Sequence, residues 1–187
     1  MILVIGIIII FALIGVFALK GKQTNPLTPF GESIISAKSV YPIVVSEAKK
    51  FSGDSFLVDL NTTGVQKDGK SKTWYALFYS PSKKTNFKIN LVEGKVDKTE
   101  EGDKKKTEPI SEGWIDSINV AKIAIPKCEE TGMVAEPDYF ISLDPGKNGK
   151  NATWRMNCLV GENKTLTVDV DAVTGEFIKT GKAGIGW

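Results

Sequence analysis

Histidine is absent from this 187-residue sequence, and arginine occurs once, as Arg155. Histidine is the commonest general base and metal ligand, so its absence argues against most hydrolytic and metal-dependent chemistry. Two cysteines are too few for a zinc site, and no glycine-rich phosphate loop follows a predicted strand. The net charge of +2 comes without a basic cluster, which disfavours a nucleic-acid partner. We therefore expect no enzymatic activity, no metal and no cofactor.

The longest apolar run stands at the start, where residues 1–19 read MILVIGIIIIFALIGVFAL. As a helix this run would reach about 28 Å, close to the roughly 30 Å of a hydrocarbon core. It has no polar face, which a buried helix of a globular protein would normally show. The pattern predicts a transmembrane anchor, followed by a linker over 20–33 in which Pro26 and Pro29 stop the helix.

The side of the membrane is indicated by opposing signals. Lys20 and Lys22 follow the apolar run, which by the positive-inside tendency would leave the folded part in the cytoplasm. Two cysteines would form a disulfide outside or stay as packed thiols inside. Glycosylation acceptors, which matter only outside, occur at Asn61, Asn151 and Asn163. We expect an extracytoplasmic location, and cleavage of the N-terminal segment stays open.

The rest of the chain contains a repeated pattern. Residues 68–99 align with 148–180, so that Trp74 falls on Trp154 and the turn glycine Gly94 falls on Gly175. In each copy, apolar and polar residues alternate as in half-buried strands joined by tight turns. A helix is expected ahead of each copy, around 43–51 and 115–125, and Pro126 should end the second.

This pattern predicts an α+β fold with two tandem helix-plus-antiparallel-sheet units after the transmembrane helix. The charged stretch after the first copy reads as a solvated linker. The predicted domains are a first, degenerate unit at 34–99, a linker at 100–112, a second unit at 113–180 and a tail at 181–187.

The two cysteines are predicted to meet in the second unit. Cys158 shares a strand face with Trp154 and Met156, which directs it into the core. Cys128 follows Pro126 at the end of the helix that packs on this sheet. Such positions can reach the Cα separation of about 5–6 Å that a disulfide needs, and the bond would close a loop of about 30 residues. Two unpaired buried thiols are the alternative.

Two further sets of side chains are candidates for binding. Asp169 and Asp171 lie on one strand face that we expect to be solvated, where a pair of carboxylates alone would hold calcium only weakly. The strand at 72–79 is apolar or aromatic on both faces, so both should be covered. The second face, with Tyr75, Leu77 and Tyr79, is covered either by packing between the two units or by a protein partner.

The second unit resembles a PepSY domain. The resemblance rests on VDVDAVTGEFI at 168–178, where Asp171, Thr174 and Gly175 form the turn motif; the first copy has INLVEGKV at 89–96 and lacks the Asp and Thr. The resemblance implies a membrane-tethered, extracytoplasmic, non-enzymatic module that restrains a peptidase or holds an envelope protein. The alternatives are a pilin-like filament subunit, although Pro26 and Pro29 interrupt the long helix of such subunits, and a structural accessory subunit of a membrane complex.

Overall fold

The computed structural model describes residues 33–103, 108–131, 139–146, 151–159 and 164–184. Within these ranges the alternating segments form strands, and the segments with apolar residues at helical spacing form helices. The helices are α1 (Ala37–Phe51) and α2 (Ser117–Glu129), and the strands are β1 (Phe56–Val65), β2 (Thr73–Ser80), β3 (Thr85–Val92), β4 (Lys95–Glu101), β5 (Tyr139–Asp144), β6 (Thr153–Leu159), β7 (Lys164–Asp171) and β8 (Phe177–Gly184).

All eight strands belong to one antiparallel sheet, in the order β4-β3-β2-β1-β5-β6-β7-β8. Helix α1 packs on strands β1 to β4, and α2 packs on β6 and β7. Side chains from both helices and from one face of the sheet form a single apolar cluster. The molecule is thus a two-layer structure in which the second face of the sheet has no helix of the described chain against it.

The expectation of two separate helix-plus-sheet units is wrong. The order of a helix followed by four antiparallel strands does occur twice, but β1 pairs directly with β5 and makes the sheet continuous. The turn before β2 also lies against the first turn of α2, since a Cβ placed on Gly69 would be 2.5 Å from the carbonyl oxygen of Ser117. Because each half covers part of the other, the strands share one core.

Equivalent tryptophans mark the two halves of this core. Trp74 on β2 donates its indole N–H to the carbonyl of Ile35 at 3.0 Å, and Trp154 on β6 donates to the carbonyl of Ile115 at 2.9 Å. Both indoles are buried. A buried indole N–H needs an acceptor, and in each half the residue two positions before the helix supplies it.

The two helices begin side by side, and residues at the start of α2 accept hydrogen bonds from the first turn of α1. Asp116 precedes α2 but does not cap it; its Oδ1 instead accepts from the backbone N–H of Lys38 in α1 at 3.0 Å. Ser117 Oγ accepts from the backbone N–H of Ala37 at 3.0 Å. The first N–H groups of a helix have no partner within the helix, so these contacts satisfy two such donors, of which that of Ala37 is buried.

The predicted ends of several segments also need correction. Helix α2 does not stop at Pro126 but continues to Glu129, with Cys128 in its last turn. Strand β4 extends to Glu101, into the stretch expected to be a linker, and β8 extends to Gly184, into the expected tail. In each case sheet pairing or packing on the sheet extends the helix or strand beyond the residue at which the sequence pattern predicted its end.

The predicted transmembrane helix at 1–19 and residues 20–32 of the predicted linker lie outside the described residues. Among the residues that the structure does describe, no helix is long and apolar enough to cross a membrane. The described fold therefore consists of two helices and one sheet, in place of the two predicted helix-plus-sheet units.

Candidate functional site

The face of the sheet opposite the helices, called the open face below, carries the predicted partner residues. On β2 the residues Tyr75, Leu77 and Tyr79 alternate with the core residues Trp74, Ala76 and Phe78 and so point to the open face. The predicted packing of two units at this place does not occur, because the halves join edge to edge through β1 and β5.

Exposure varies along this side of β2. Tyr75 is 40% exposed and Leu77 is partly exposed. Tyr79 is buried, and its ring packs on Phe56 of β1 with centroids 5.6 Å apart. On this side of β2 the accessible residues are therefore Tyr75 and Leu77, near the middle of the sheet.

A row of register partners runs from Tyr75 across the open face to both edges. In an antiparallel sheet, directly opposed residues lie on the same face with Cβ atoms about 5 Å apart. The row changes from polar and aromatic side chains in the first half to charged side chains in the second. In spatial order it contains Lys98, Asn90, Tyr75, Asn61, Ser142, Arg155, Asp169 and Lys179.

Arg155, the only arginine, is at the centre of the charged half. Its Nε lies 2.9 Å from Asp169 Oδ1, its Nη2 3.4 Å from Asp169 Oδ2, and its Nη1 3.6 Å from Asp144 Oδ2. The side chain of Asp169 is only 6% exposed, so the expectation of a solvated Asp169 is wrong. The hydrogen bond from Arg155 and the nearby Lys179, whose Nζ lies 3.8 Å from Asp169 Oδ2, neutralise the buried carboxylate.

Asp59 on β1 was not recognised from the sequence. Burial raises the pKa of its carboxyl to about 6, and the charge of Asp144 on the neighbouring strand adds to the shift. The side-chain amide of Asn61 donates to Oδ2 at 2.7 Å, which lowers the pKa and partly opposes the shift. Its other oxygen, Oδ1, is buried without a hydrogen-bond partner among the described protein groups. This carboxyl is therefore expected to change charge near pH 6.

The charged half of the open face contains a groove of about 470 Å³. Charged groups of both signs, polar side chains and two apolar residues line it: Asp144, Pro145, Asn151, Thr153, Arg155, Asp169, Ile178 and Lys179. Its carboxylates are paired with cations, and in the described part of the chain no group of three or more His, Cys, Asp or Glu side chains is placed to hold a metal. A groove with charged, polar and apolar side chains of this kind can bind polar groups.

The turn motif has a structural role. Asp171 Oδ1 accepts from the backbone N–H groups of Val173 and Thr174 at 2.9 and 2.8 Å, and these bonds lower its pKa. Gly175 has a φ of +76°, which glycine adopts without steric cost. Asn151 donates to Asp171 as well. The motif thus fixes the β7–β8 turn beside the groove.

The remaining glycosylation candidates differ in accessibility. Asn61 lies on the central strand β1, partly buried and hydrogen-bonded to Asp59. Asn151 is exposed just before β6, whereas Asn163 lies outside the described residues.

The predicted disulfide between Cys128 and Cys158 is confirmed. It joins the last turn of α2 to β6, with a Cα–Cα distance of 6.1 Å and both residues fully buried. The bond therefore holds the end of the helix on the sheet.

Comparison with known proteins gives a likeness of fold alone. No family model and no curated protein matches the chain. A crystal structure of a "putative lipoprotein" from Clostridium difficile 630 is similar to it with a TM-score of 0.56 and 15% identity, covering 84% of this chain and 98% of that one. The two-layer architecture is therefore shared with a protein of known structure.

Proposed function

We propose that this protein is a non-enzymatic binding module that acts outside the cytoplasm at a membrane surface and holds a protein partner on the open face of its sheet. The observation that carries the proposal is the exposed Tyr75 with the partly exposed Leu77, near the middle of a sheet face that no described helix covers and that also carries the Arg155 groove. Protein interfaces typically combine such an aromatic centre with a polar surround and an arginine.

The extracytoplasmic location is supported by two observations. A buried disulfide such as Cys128–Cys158 forms and persists in oxidising compartments and is rare in the cytosol. The similar crystal structure is that of a "putative lipoprotein", a class of protein held at a membrane from outside. The proposal extends this setting to the present chain.

The partner is proposed to be a peptidase or another envelope protein, as the PepSY resemblance implies. The absence of histidine from the sequence and the pairing of the groove carboxylates with Arg155 and Lys179 favour binding over catalysis. In this role the open face would cover a surface of the partner, and the partner's own residues would supply any chemistry.

Site-specific photo-crosslinking in cells tests the proposal. Benzoylphenylalanine replaces Tyr75 in one variant and Val96 in the control variant. Val96 is 39% exposed, almost as much as Tyr75, but it is paired in register with the core residue Leu91 and so does not lie on the open face. We expect a discrete adduct with one envelope protein from position 75 and none from position 96. If the adduct contains a peptidase, its activity should rise when Tyr75→Ala replaces the wild type.

Two results would contradict the proposal. Equal adducts from both positions would show that the open face is not preferred, and an adduct with a second copy of the chain would favour the filament alternative. The location has a separate test: a cysteine introduced at the exposed Asp97 should react with a membrane-impermeant maleimide in intact cells. Protection until lysis would place the fold inside.

A further inference from the structure

The two edge strands of the sheet differ in how their free backbone groups are protected. Strand β4 is exposed along its whole length, and five of its seven residues, in KVDKTEE, are charged. Charged side chains on an edge are a common device against pairing with other chains. Strand β8, which reads FIKTGKAG, has two lysines and no carboxylate.

Strand β8 also combines exposed apolar side chains with small residues. Phe177 and Ile178 are among the exposed large hydrophobic residues of the molecule. Toward its end the strand contains Gly181, where the missing side chain leaves the backbone sterically accessible. No strand of the described chain pairs with its outer edge. An exposed apolar edge of this kind is a template for a further strand.

The charge beside this edge on the open face is positive. Lys179 lies on β8 with its side chain 67% exposed, and its partner Asp169 is buried and shared with Arg155. Glu176 precedes the strand in the β7–β8 turn, and β8 itself, with Lys179 and Lys182, adds only positive charge.

We propose that the outer edge of β8 takes an extended, acidic segment of a partner protein as a ninth strand. Its backbone would pair with β8, and its side chains would alternate between the two faces of the sheet. An acidic side chain directed to the open face would meet Lys179, and apolar side chains would cover Phe177 and Ile178. This contact is separate from the Tyr75 surface and does not depend on it.

A second copy of this chain is the less suitable occupant. Two β8 strands paired about a twofold axis would bring the lysines of both copies to the same seam, and neither β8 strand contains a carboxylate to offset them. Pairing of β8 with β4 of another copy would leave β4 of one copy and β8 of the other unpaired, so that further copies would add and form a filament.

Binding of a synthetic strand to the full-length, disulfide-bonded protein tests the proposal. The probe is a blocked peptide of about nine residues, roughly the length of β8, in which Val and Thr alternate with Glu. A second peptide has Lys in place of Glu. Fluorescence anisotropy measures affinity, and hydrogen exchange read by mass spectrometry locates the contact.

The matched variants are Lys179→Glu and Lys98→Glu. Lys98 is 62% exposed on the other edge strand, at the opposite end of the same row across the open face. We expect the acidic peptide to slow exchange in 177–184 and not in 95–101. Lys179→Glu should weaken its binding by about tenfold and improve binding of the basic peptide, since cross-strand attraction becomes repulsion. Lys98→Glu should change either affinity by less than about twofold.

Three outcomes would overturn the proposal: protection of β4 or of neither edge, equal affinity for the acidic and basic peptides, or a loss of binding that is the same for both variants. Concentration-dependent association of the protein alone, abolished by Lys179→Glu, would identify a second copy as the occupant instead.

Discussion

Removal of the Cys128–Cys158 disulfide should lower the free energy of unfolding more than any other change that leaves the backbone intact. The bond spans 30 residues and closes a loop that runs through β5 and into β6. In the chain-entropy relation, a loop of this length lowers the entropy of the unfolded state by about 12 cal/mol/K, or about 3.6 kcal/mol at 25 °C. Both residues are fully buried, so the change to alanine also loses packing, which adds about 1 kcal/mol for the pair.

The total of about 4–5 kcal/mol predicts a lower melting temperature by roughly 10–20 °C for a chain of this size. The assay compares denaturant unfolding of the oxidised wild type with Cys128→Ala, Cys158→Ala and the double variant. Either single change should cost nearly the full amount, because it breaks the bond, and the second change should add less than about 1 kcal/mol. The wild type in a reducing agent should resemble the single variants.

The reasoning would be refuted if the double variant unfolded within about 1 kcal/mol of the oxidised wild type. It would also fail if both cysteines of the native, non-reduced protein reacted with an alkylating agent. The matched pair of oxidised and reduced wild type separates the contribution of the bond from that of packing.

The other predictions concern single side chains. The pKa of Asp59 is raised from 3.8 to about 6 in the folded state, which therefore holds a proton that the unfolded state loses, so the free energy of unfolding should fall as pH rises from about 4 to 6. Asp59→Asn should remove this loss and stabilise the protein at pH 7.5 by up to about 3 kcal/mol. An unchanged pH profile of denaturant unfolding would contradict the burial argument. Gly69→Ala should destabilise the protein by more than about 3 kcal/mol in the same assay, because its φ is +80° and the new Cβ would be 2.5 Å from the backbone of α2. The control is Gly53→Ala, whose Cβ would meet nothing within 4 Å and which should be nearly neutral. Ser117→Ala should cost about 1–3 kcal/mol because the backbone N–H of Ala37 loses its acceptor; a cost below about 0.5 kcal/mol would mean that water replaces it.

Local structure followed closely from the sequence because it depends on neighbours along the chain. The alternation of Leu166, Val168 and Val170 placed β7, and the turn with Asp171 and Gly175 formed where a short polar side chain and a positive-φ glycine permit it. The disulfide could likewise be anticipated, since a helix end and an inward strand position come close in any helix that packs on its own sheet.

Local signals were overridden where packing is stronger. Pro126 was expected to end α2, but the helix continues for one more turn, in which Cys128 is buried and bonded to β6. Asp116 directly precedes α2 and is of a residue type that caps helices, but its carboxylate accepts from the backbone N–H of Lys38 in the other helix. Helix propensity and capping are worth only about 1–3 kcal/mol per site, which such tertiary contacts can exceed.

The sequence by itself determined which residues alternate into strands, which residues turn, and that the pattern occurs twice. It did not determine which strands become neighbours, because alternation assigns each side chain to a face of its strand and contains nothing about the strand across the hydrogen bonds. The pairing of β1 with β5 joins segments about 80 residues apart and turns two expected units into one sheet. The same pairing places Asp59 beside Asp144 and buries it, while the neighbouring β6–β7 register brings Arg155 onto Asp169. The open face and its groove exist only in the tertiary structure, since the ion pairs of Arg155 that line the groove join side chains of different strands.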